Sequence, residues 1–347
     1  MFTDAYKNCN LCPRNCGVDR TSGQLGFCKE NSDLRLAVAM KHFGEEPPLT
    51  CRGGSGTIFV TGCNLRCAFC QNYQISQHGY GKVVTIEEAA ELCLKLQAEG
   101  AENINIVTGS HAIPSLALVL EMAKKKGLGI PVCWNTSSYE NISALEMLDG
   151  LVDIWLPDLK TLNPMMSEAV FKAEDYPKVA KKAIRWMIEH SSKKFLPLDK
   201  PCKIPGSGDA PEVTEKMISG VIIRHLILPG RISDTKLVLD WLKSHADNVT
   251  GADGSDKSAC ISLMCQYTPV NVQGDSDNEK AFRENALKSF QNRLLNTQDF
   301  EEIRSLIESY DFSHLFYQEL DDDTGWLPDF TKVLPFSSAL ALPVWHC

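Results

Sequence analysis

Six short apolar runs, rich in β-branched and aromatic residues, recur through the middle of the chain with amphipathic stretches between them. This alternation constrains the fold more than any other feature. The runs cover residues 57–61, 104–107, 130–134, 152–156, 221–228 and 261–264, and short apolar runs bounded by turn residues are the mark of buried strands. Between the first two, Thr85-Ile86-Glu87-Glu88 has capping-box form and leads into Ala89, Leu92, Cys93 and Leu96 at helical spacing. Pro114 opens the next helix, and further helices are predicted over 178–190 and 233–244. Strand and helix in regular succession imply an α/β protein whose parallel sheet curls into an open, partial (βα)6 barrel, with reactive residues at the C-terminal ends of its strands. Residues 191–220, rich in Lys and Pro, and 248–258, rich in Asp and Gly, interrupt the rhythm and are expected to be surface insertions. The predicted organisation is a cysteine-rich metal-binding module over 1–50, the barrel over 51–270, and a mixed helical and extended tail over 271–347 packing on the barrel.

The 347 residues carry 35 Lys and Arg against 44 Asp and Glu, a formal charge of −9. Unspecific binding to nucleic acid needs the opposite balance and is not expected. The longest apolar stretch, around 113–123, is too short for a bilayer, so no membrane partner is expected. The first residues lack a basic segment followed by an apolar one, so the expected location is the cytoplasm. Fourteen cysteines in a reducing compartment read as metal ligands or buried thiols rather than disulfides.

Eight of the fourteen fall in the first seventy residues. Cys63, Cys67 and Cys70 form a CxxxCxxC triplet in the glycine-flanked loop that follows the first barrel strand. A closed zinc site takes four ligands, and a 4Fe-4S cluster takes one thiolate per iron. Three thiolates therefore leave one iron open to a chelating small molecule. Cys9, Cys12, Cys16 and Cys28, separated by turn residues, supply four thiolates for a second closed site. Zinc and a second iron-sulfur cluster both fit that count, and zinc is slightly preferred because a small module needs a staple. The remaining cysteines are read as buried thiols or surface residues, with Cys93 in the core and Cys51 and Cys265 within reach of the barrel mouth.

The triplet resembles the signature of radical S-adenosylmethionine enzymes. That resemblance implies a 4Fe-4S cluster and S-adenosylmethionine as cofactors, a one-electron donor such as flavodoxin or ferredoxin, and reductive cleavage to a 5′-deoxyadenosyl radical that abstracts hydrogen. The motifs at 42–48, 54–59, 70–72, 135–137, 156–160, 223–230 and 266–269, with an echo at 325–330, resemble the pyruvate formate-lyase activating enzyme-like branch. The branch implies activation of a glycyl radical enzyme. The alternatives are radical modification of a small-molecule metabolite and a zinc-bearing binding module. By the same resemblance Phe69 packs beside the adenine, while Thr136, Asp158 and Lys160 lie near the S-adenosylmethionine carboxylate and a monovalent cation. Asn135 stands where the activators carry an aspartate, so one negative charge is missing. Thr108 and Gly109 replace a Gly-Gly-Glu segment that receives the amino group, and for the neighbouring His111 a role near the site and a plain surface loop position are both open. Arg224 is expected to point into the barrel, where its guanidinium either holds a carboxylate or stacks on adenine, or else forms a structural ion pair.

Overall fold

The protein is described from a computed structural model, which covers residues 2–204, 212–318 and 340–347, with 328, 332, 335, 336 and 338 between the last two stretches. Among the described residues eleven strands build the sheet: β1 Arg35–His42, β2 Ser55–Val60, β3 Lys82–Val83, β4 Ile104–Val107, β5 Val132–Thr136, β6 Ile154–Pro157, β7 Lys194–Cys202, β8 Val213–Leu226, β9 Cys260–Met264, β10 Leu315–Tyr317 and β11 Ala341–His346. The spatial order is β10-β9-β8-β6-β5-β4-β2-β1-β11. From β2 through β10 every pairing along that path is parallel. All six predicted strands are present in sequence order, and the α/β fold with its partial parallel barrel stands as expected.

Local chemistry accounts for the helices that line the sheet. Thr85 caps the helix Ile86–Ala98 with both bonds of the capping box, and Pro114 sits in the first turn of Ile113–Lys125. The later helices run Tyr176–Glu189 and Ile232–His245. Among the described residues no helix is long and apolar enough to cross a membrane.

The edges of the sheet differ from the expected organisation. All of β1, Arg35–His42, lies in the segment assigned to the cysteine module, yet it pairs antiparallel with β2 and buries Ala37, Ala39 and Met40 completely. The boundary at residue 50 therefore cuts through material that belongs to the sheet. The tail is likewise part of the architecture, because β10 extends one end of the sheet and β11 pairs antiparallel with β1 at the other. Within 191–220, β7 forms an antiparallel hairpin with the first half of β8, and the second half of β8 enters the barrel. The loop 248–258 does lie at the surface. The echo at 325–330 lies outside the described residues except for Pro328.

Candidate active site

The loop that follows β2 carries the triplet. Gly62 opens it at φ +89, and a Cβ there would lie 2.5 Å from Glu30 Cγ and 3.2 Å from the Cys28 carbonyl. Only glycine lets the N-terminal cysteine segment lie so close to this loop. Cys63 and Cys67 are buried, Cys70 is half-buried, and all three line one cavity of about 1080 Å3. Burial pushes the Cys67 thiol up; Lys160 opposes this, and the thiolates of Cys63 and Cys70 add to it. The three sulfurs are thus electrostatic neighbours, and a cationic iron core would relieve the cost of ionising them together. Among the described residues no three His, Cys, Asp or Glu side chains are grouped so as to hold a single metal ion. A cluster binds each thiolate at a separate iron and does not require that grouping.

Phe69 lines the cavity and is the hub of an aromatic cluster, with edge contacts to Phe171, Tyr267 and Phe290 at 6.0, 6.0 and 5.8 Å. Across the cavity, after β6, Lys160 Nζ donates to Asp158 Oδ2 at 2.5 Å. Burial disfavours the charged lysine, but Asp158 and then the Cys67 thiolate outweigh it and hold Lys160 well above its ordinary range. Tyr176 fixes the backbone of this pair: its hydroxyl accepts from Lys160 N and donates to Asp158 O, both at 2.9 Å.

Asn135 and Thr136 line the cavity from the end of β5. The Thr136 hydroxyl donates to Glu140, which also accepts from Ser110 Oγ at 2.7 Å. Sequence reasoning missed Glu140. This buried carboxylate lies behind the cavity wall, and burial raises its pKa. Thr108 lines the cavity at the strained φ of +60. Gly109 does not. A Cβ on it would meet the Trp134 ring at 2.5 Å and Leu116 at 2.7 Å, so this glycine serves core packing rather than ligand approach. His111 is buried, not a surface residue. It contacts Thr61 O at 2.7 Å, and burial, aided by Arg20, lowers its pKa to about 3.

Arg224 does point into the barrel, but its guanidinium is already engaged. Arg224 Nε donates to Glu46 Oε1 at 2.8 Å, and Nη2 bonds to both Glu45 and Glu46. Glu45 also accepts from Asn105 Nδ2 at 3.1 Å. Burial would raise the Glu45 pKa, yet Arg224 and His42 outweigh burial and hold it well below the usual carboxylate range. The motif at 42–48 was visible in the sequence, but its partner, 178 residues further on, was not.

The N-terminal cysteines also come together. Cys9, Cys12 and Cys28 are buried and Cys16 is half-buried. Burial pushes the Cys12 thiol up to about 12; a backbone bond at Arg14 opposes this, and the thiolates of Cys28, Cys9 and Cys16 add to it. Gly26 lies between two of the sulfurs, since a Cβ there would sit 3.3 Å from Cys28 Sγ and 3.7 Å from Cys16 Sγ. Two arginines clamp the segment to the catalytic half. Arg14 donates to Asn64 O at 3.0 Å and Phe171 O at 2.8 Å, and Arg20 donates to His111 O at 2.6 Å and Cys9 Sγ at 3.8 Å. Cys51 is a buried thiol packed with Cys202 and Val213, and Cys265 lines a smaller cavity.

Residues 57–198 match the family model of the radical SAM superfamily. Over that stretch, under half of the chain, it is similar to radical SAM enzymes, a family whose cofactors are a 4Fe-4S cluster and S-adenosylmethionine. It is 28% identical over 272 residues to uncharacterized protein MJ0674 of Methanocaldococcus jannaschii, covering 76% of this chain and 67% of that protein. Among solved structures, methylornithine synthase (PylB) aligns over 79% of this chain and 74% of its own at 12% identity, with a TM-score of 0.46. A domain of pyruvate-formate lyase-activating enzyme from Bacteroides vulgatus aligns over 53% of this chain and 89% of its own at 14% identity, with a TM-score of only 0.28.

Proposed function

We propose that this radical SAM enzyme activates a protein partner by abstracting hydrogen from a glycine, working in the cytoplasm with flavodoxin or ferredoxin as electron donor. One observation carries the reading. Thr136, Asp158 and Lys160, the positions that resemble those of the glycyl radical activators, line the same cavity as the triplet. Cys63, Cys67 and Cys70 are the thiolates that would hold the cluster. Bound together, cluster and S-adenosylmethionine supply reductive cleavage of the sulfonium and a carbon radical able to take hydrogen from a substrate. Lys160 offers its ammonium to the methionine carboxylate, and Asp158 holds that ammonium in place. Phe69 and its aromatic neighbours present an apolar wall beside the adenine and keep water from the reacting atoms. Arg224, held by Glu45 and Glu46 through Nε and Nη2, fixes the opposite wall. Cys9, Cys12, Cys16 and Cys28 form a second metal site, clamped to the triplet loop by Arg14 and Arg20.

A second reading, modification of a small metabolite, is favoured by the modest size of the adjoining cavity, about 340 Å3. The test uses anaerobically reconstituted protein, reductant and S-adenosylmethionine. Formation of 5′-deoxyadenosine is expected, along with an organic radical signal on a glycine of the partner. Turnover of a metabolite without that signal would decide for the second reading, and a triplet that takes up no iron would overturn both. Iron and zinc contents of the wild type and Cys12→Ser identify the N-terminal metal.

A further inference from the structure

The helix Asp277–Ala286 belongs to the tail, yet its side chains reach the triplet loop. Ser276 caps it with both bonds of the capping box, so local sequence fixes where Glu279 and Arg283 stand. These two are four residues apart and share one face of the helix. Glu279 Oε1 accepts from Lys29 Nζ and from Arg66 Nη2, both at 2.8 Å. Lys29 follows Cys28 and Arg66 precedes Cys67, so one carboxylate oxygen ties the segments that carry the two sets of thiols. Arg283 is only 7% exposed. Its Nη1 donates to Ala68 O, and its Nη2 donates to Gln77 Oε1 at 3.2 Å. Gln77 Nε2 in turn donates to Cys67 O at 3.0 Å. Asp275 completes the set: its Oδ2 accepts from Arg283 Nε at 2.9 Å, and its Oδ1 contacts His78 Nε2 at 2.9 Å.

Residues 66, 67 and 68 lie between the first and third thiols of the triplet, and all three are held from this helix, Cys67 through Gln77. The loop's own ties are slight. Cys70 N donates to Cys67 O at 3.2 Å, and Leu65 N donates to Cys63 Sγ at 3.4 Å. Arg66 stands at φ +58, a left-handed conformation uncommon for a residue with a side chain. Such a backbone persists only where its surroundings hold it. Ala68 N donates to Val170 O at 3.0 Å, while Ala68 O accepts from Arg283, so the peptide units on both sides of Ala68 are fixed between the second thiol and Phe69. The Ala68 carbonyl cannot turn away without leaving a buried guanidinium short of a partner. The planar fork of arginine serves Ala68, Gln77 and Asp275 together, which the single ammonium of a lysine would not do.

We infer that Arg283 is the positioning residue of the triplet loop, keeping Cys67 and Cys70 in register with Cys63 before a cluster is bound. The inference rests on the proposed function only in reading these thiols as ligands of a cluster. The test compares the full-length wild type with Arg283→Met and Arg283→Lys. Anaerobically reconstituted holoprotein is mixed with a ferrous chelator, and Arg283→Met is expected to lose its iron about tenfold faster than the wild type. Hydrogen exchange of the metal-free chain is expected to quicken about tenfold at the amides of residues 63–70 and to stay unchanged over Ile86–Ala98. Arg283→Lys keeps a charge beside Asp275 but not the fork, and it is expected to share most of both defects. The inference is overturned if either iron loss or loop exchange in Arg283→Met matches the wild type, or if exchange rises equally over Ile86–Ala98. Restoration of wild-type rates by lysine overturns it too, since Arg283 would then be an ion-pair partner of Asp275 and nothing more. If the melting curve shows Arg283→Met unfolded, Arg283→Lys decides by the same two readings. A wild type that takes up no iron sinks the radical reading, and loop exchange still decides on Arg283. A wild type that holds iron and forms 5′-deoxyadenosine, with both variants at its rates, sinks this inference alone.

Discussion

The two walls of the large cavity are built on opposite terms. On the sulfur wall, Cys63, Cys67 and Cys70 have only light internal contacts, such as Cys63 Sγ accepting from Leu65 N at 3.4 Å and Cys70 Sγ at 3.2 Å from Ser76 Oγ. On the ionic wall, Arg224, Glu45 and Glu46 satisfy one another in a buried triad, and Lys160 is closed by Asp158. The first wall gains its meaning from something bound to it, whereas the second holds its ion pairs before anything binds. Reactivity and rigidity are thus divided between two sides of one cavity. Losing one thiol on the first side should disturb the fold little, whereas losing one partner on the second leaves buried charge uncompensated.

The largest test of that division is Cys67→Ala. It should abolish iron uptake at the triplet and 5′-deoxyadenosine formation, while shifting the stability of the metal-free protein by only about 1 kcal/mol. A loss of several kcal/mol in urea unfolding would show that the sulfur wall also carries the fold. Arg224→Met should behave in the opposite way. It strands two buried carboxylates and should cost about 3–5 kcal/mol, and adding Glu45→Gln and Glu46→Gln should restore much of the loss.

A third test concerns pH, through the histidine that follows Arg224 in β8. His225 is buried, with Nδ1 donating to Leu159 O at 2.8 Å and Nε2 facing Thr235 Oγ1 at 3.1 Å, an arrangement suited to the neutral ring. Burial lowers its pKa to about 4. The unfolded chain therefore takes up the proton first, at its ordinary value near 6.5, so stability is fully present above that pH. It falls as the pH drops from about 6.5 to 4, by about 3 kcal/mol in all. Urea midpoints measured across that range should show the slope in the wild type and a shallower one in His225→Gln. An equal slope in both would place the titration elsewhere.

The smallest effect is expected at Gly109→Ala, where the added methyl group meets Trp134 and Leu116. Overpacking there should cost about 1–3 kcal/mol and leave the affinity of the folded protein for S-adenosylmethionine unchanged. A selective loss of that affinity would return Gly109 to the binding site.

The contrast between the walls also marks how far the sequence could be followed. Cys63, Cys67 and Cys70 lie within eight residues, so their spacing alone announced them, and the strand before them announced where they would stand. Glu45 and Glu46 were visible as a motif, but nothing local could say that their partner was Arg224. Gly109 was misread for a related reason. A glycine after a strand suits ligand approach and core packing equally well, and only Trp134, arriving from the next strand, settles which. His111 looked like a loop residue because its short polar neighbourhood gives no sign of the N-terminal segment that covers it.

By itself the sequence determined what short-range chemistry can determine. Alternating apolar runs set the order of parallel strands, Thr85 and Pro114 set helix starts, and the thiol spacing set the reactive loop. The tertiary structure alone decided the rest: that β1 and β11 close one side of the sheet, and that two carboxylates from before β2 pair with an arginine on β8. Periodicity and capping act over a few residues and leave a mark in the sequence. Ion pairing and cavity walls arise between segments far apart in the chain, and their partners are fixed only when the sheet curls and brings them together.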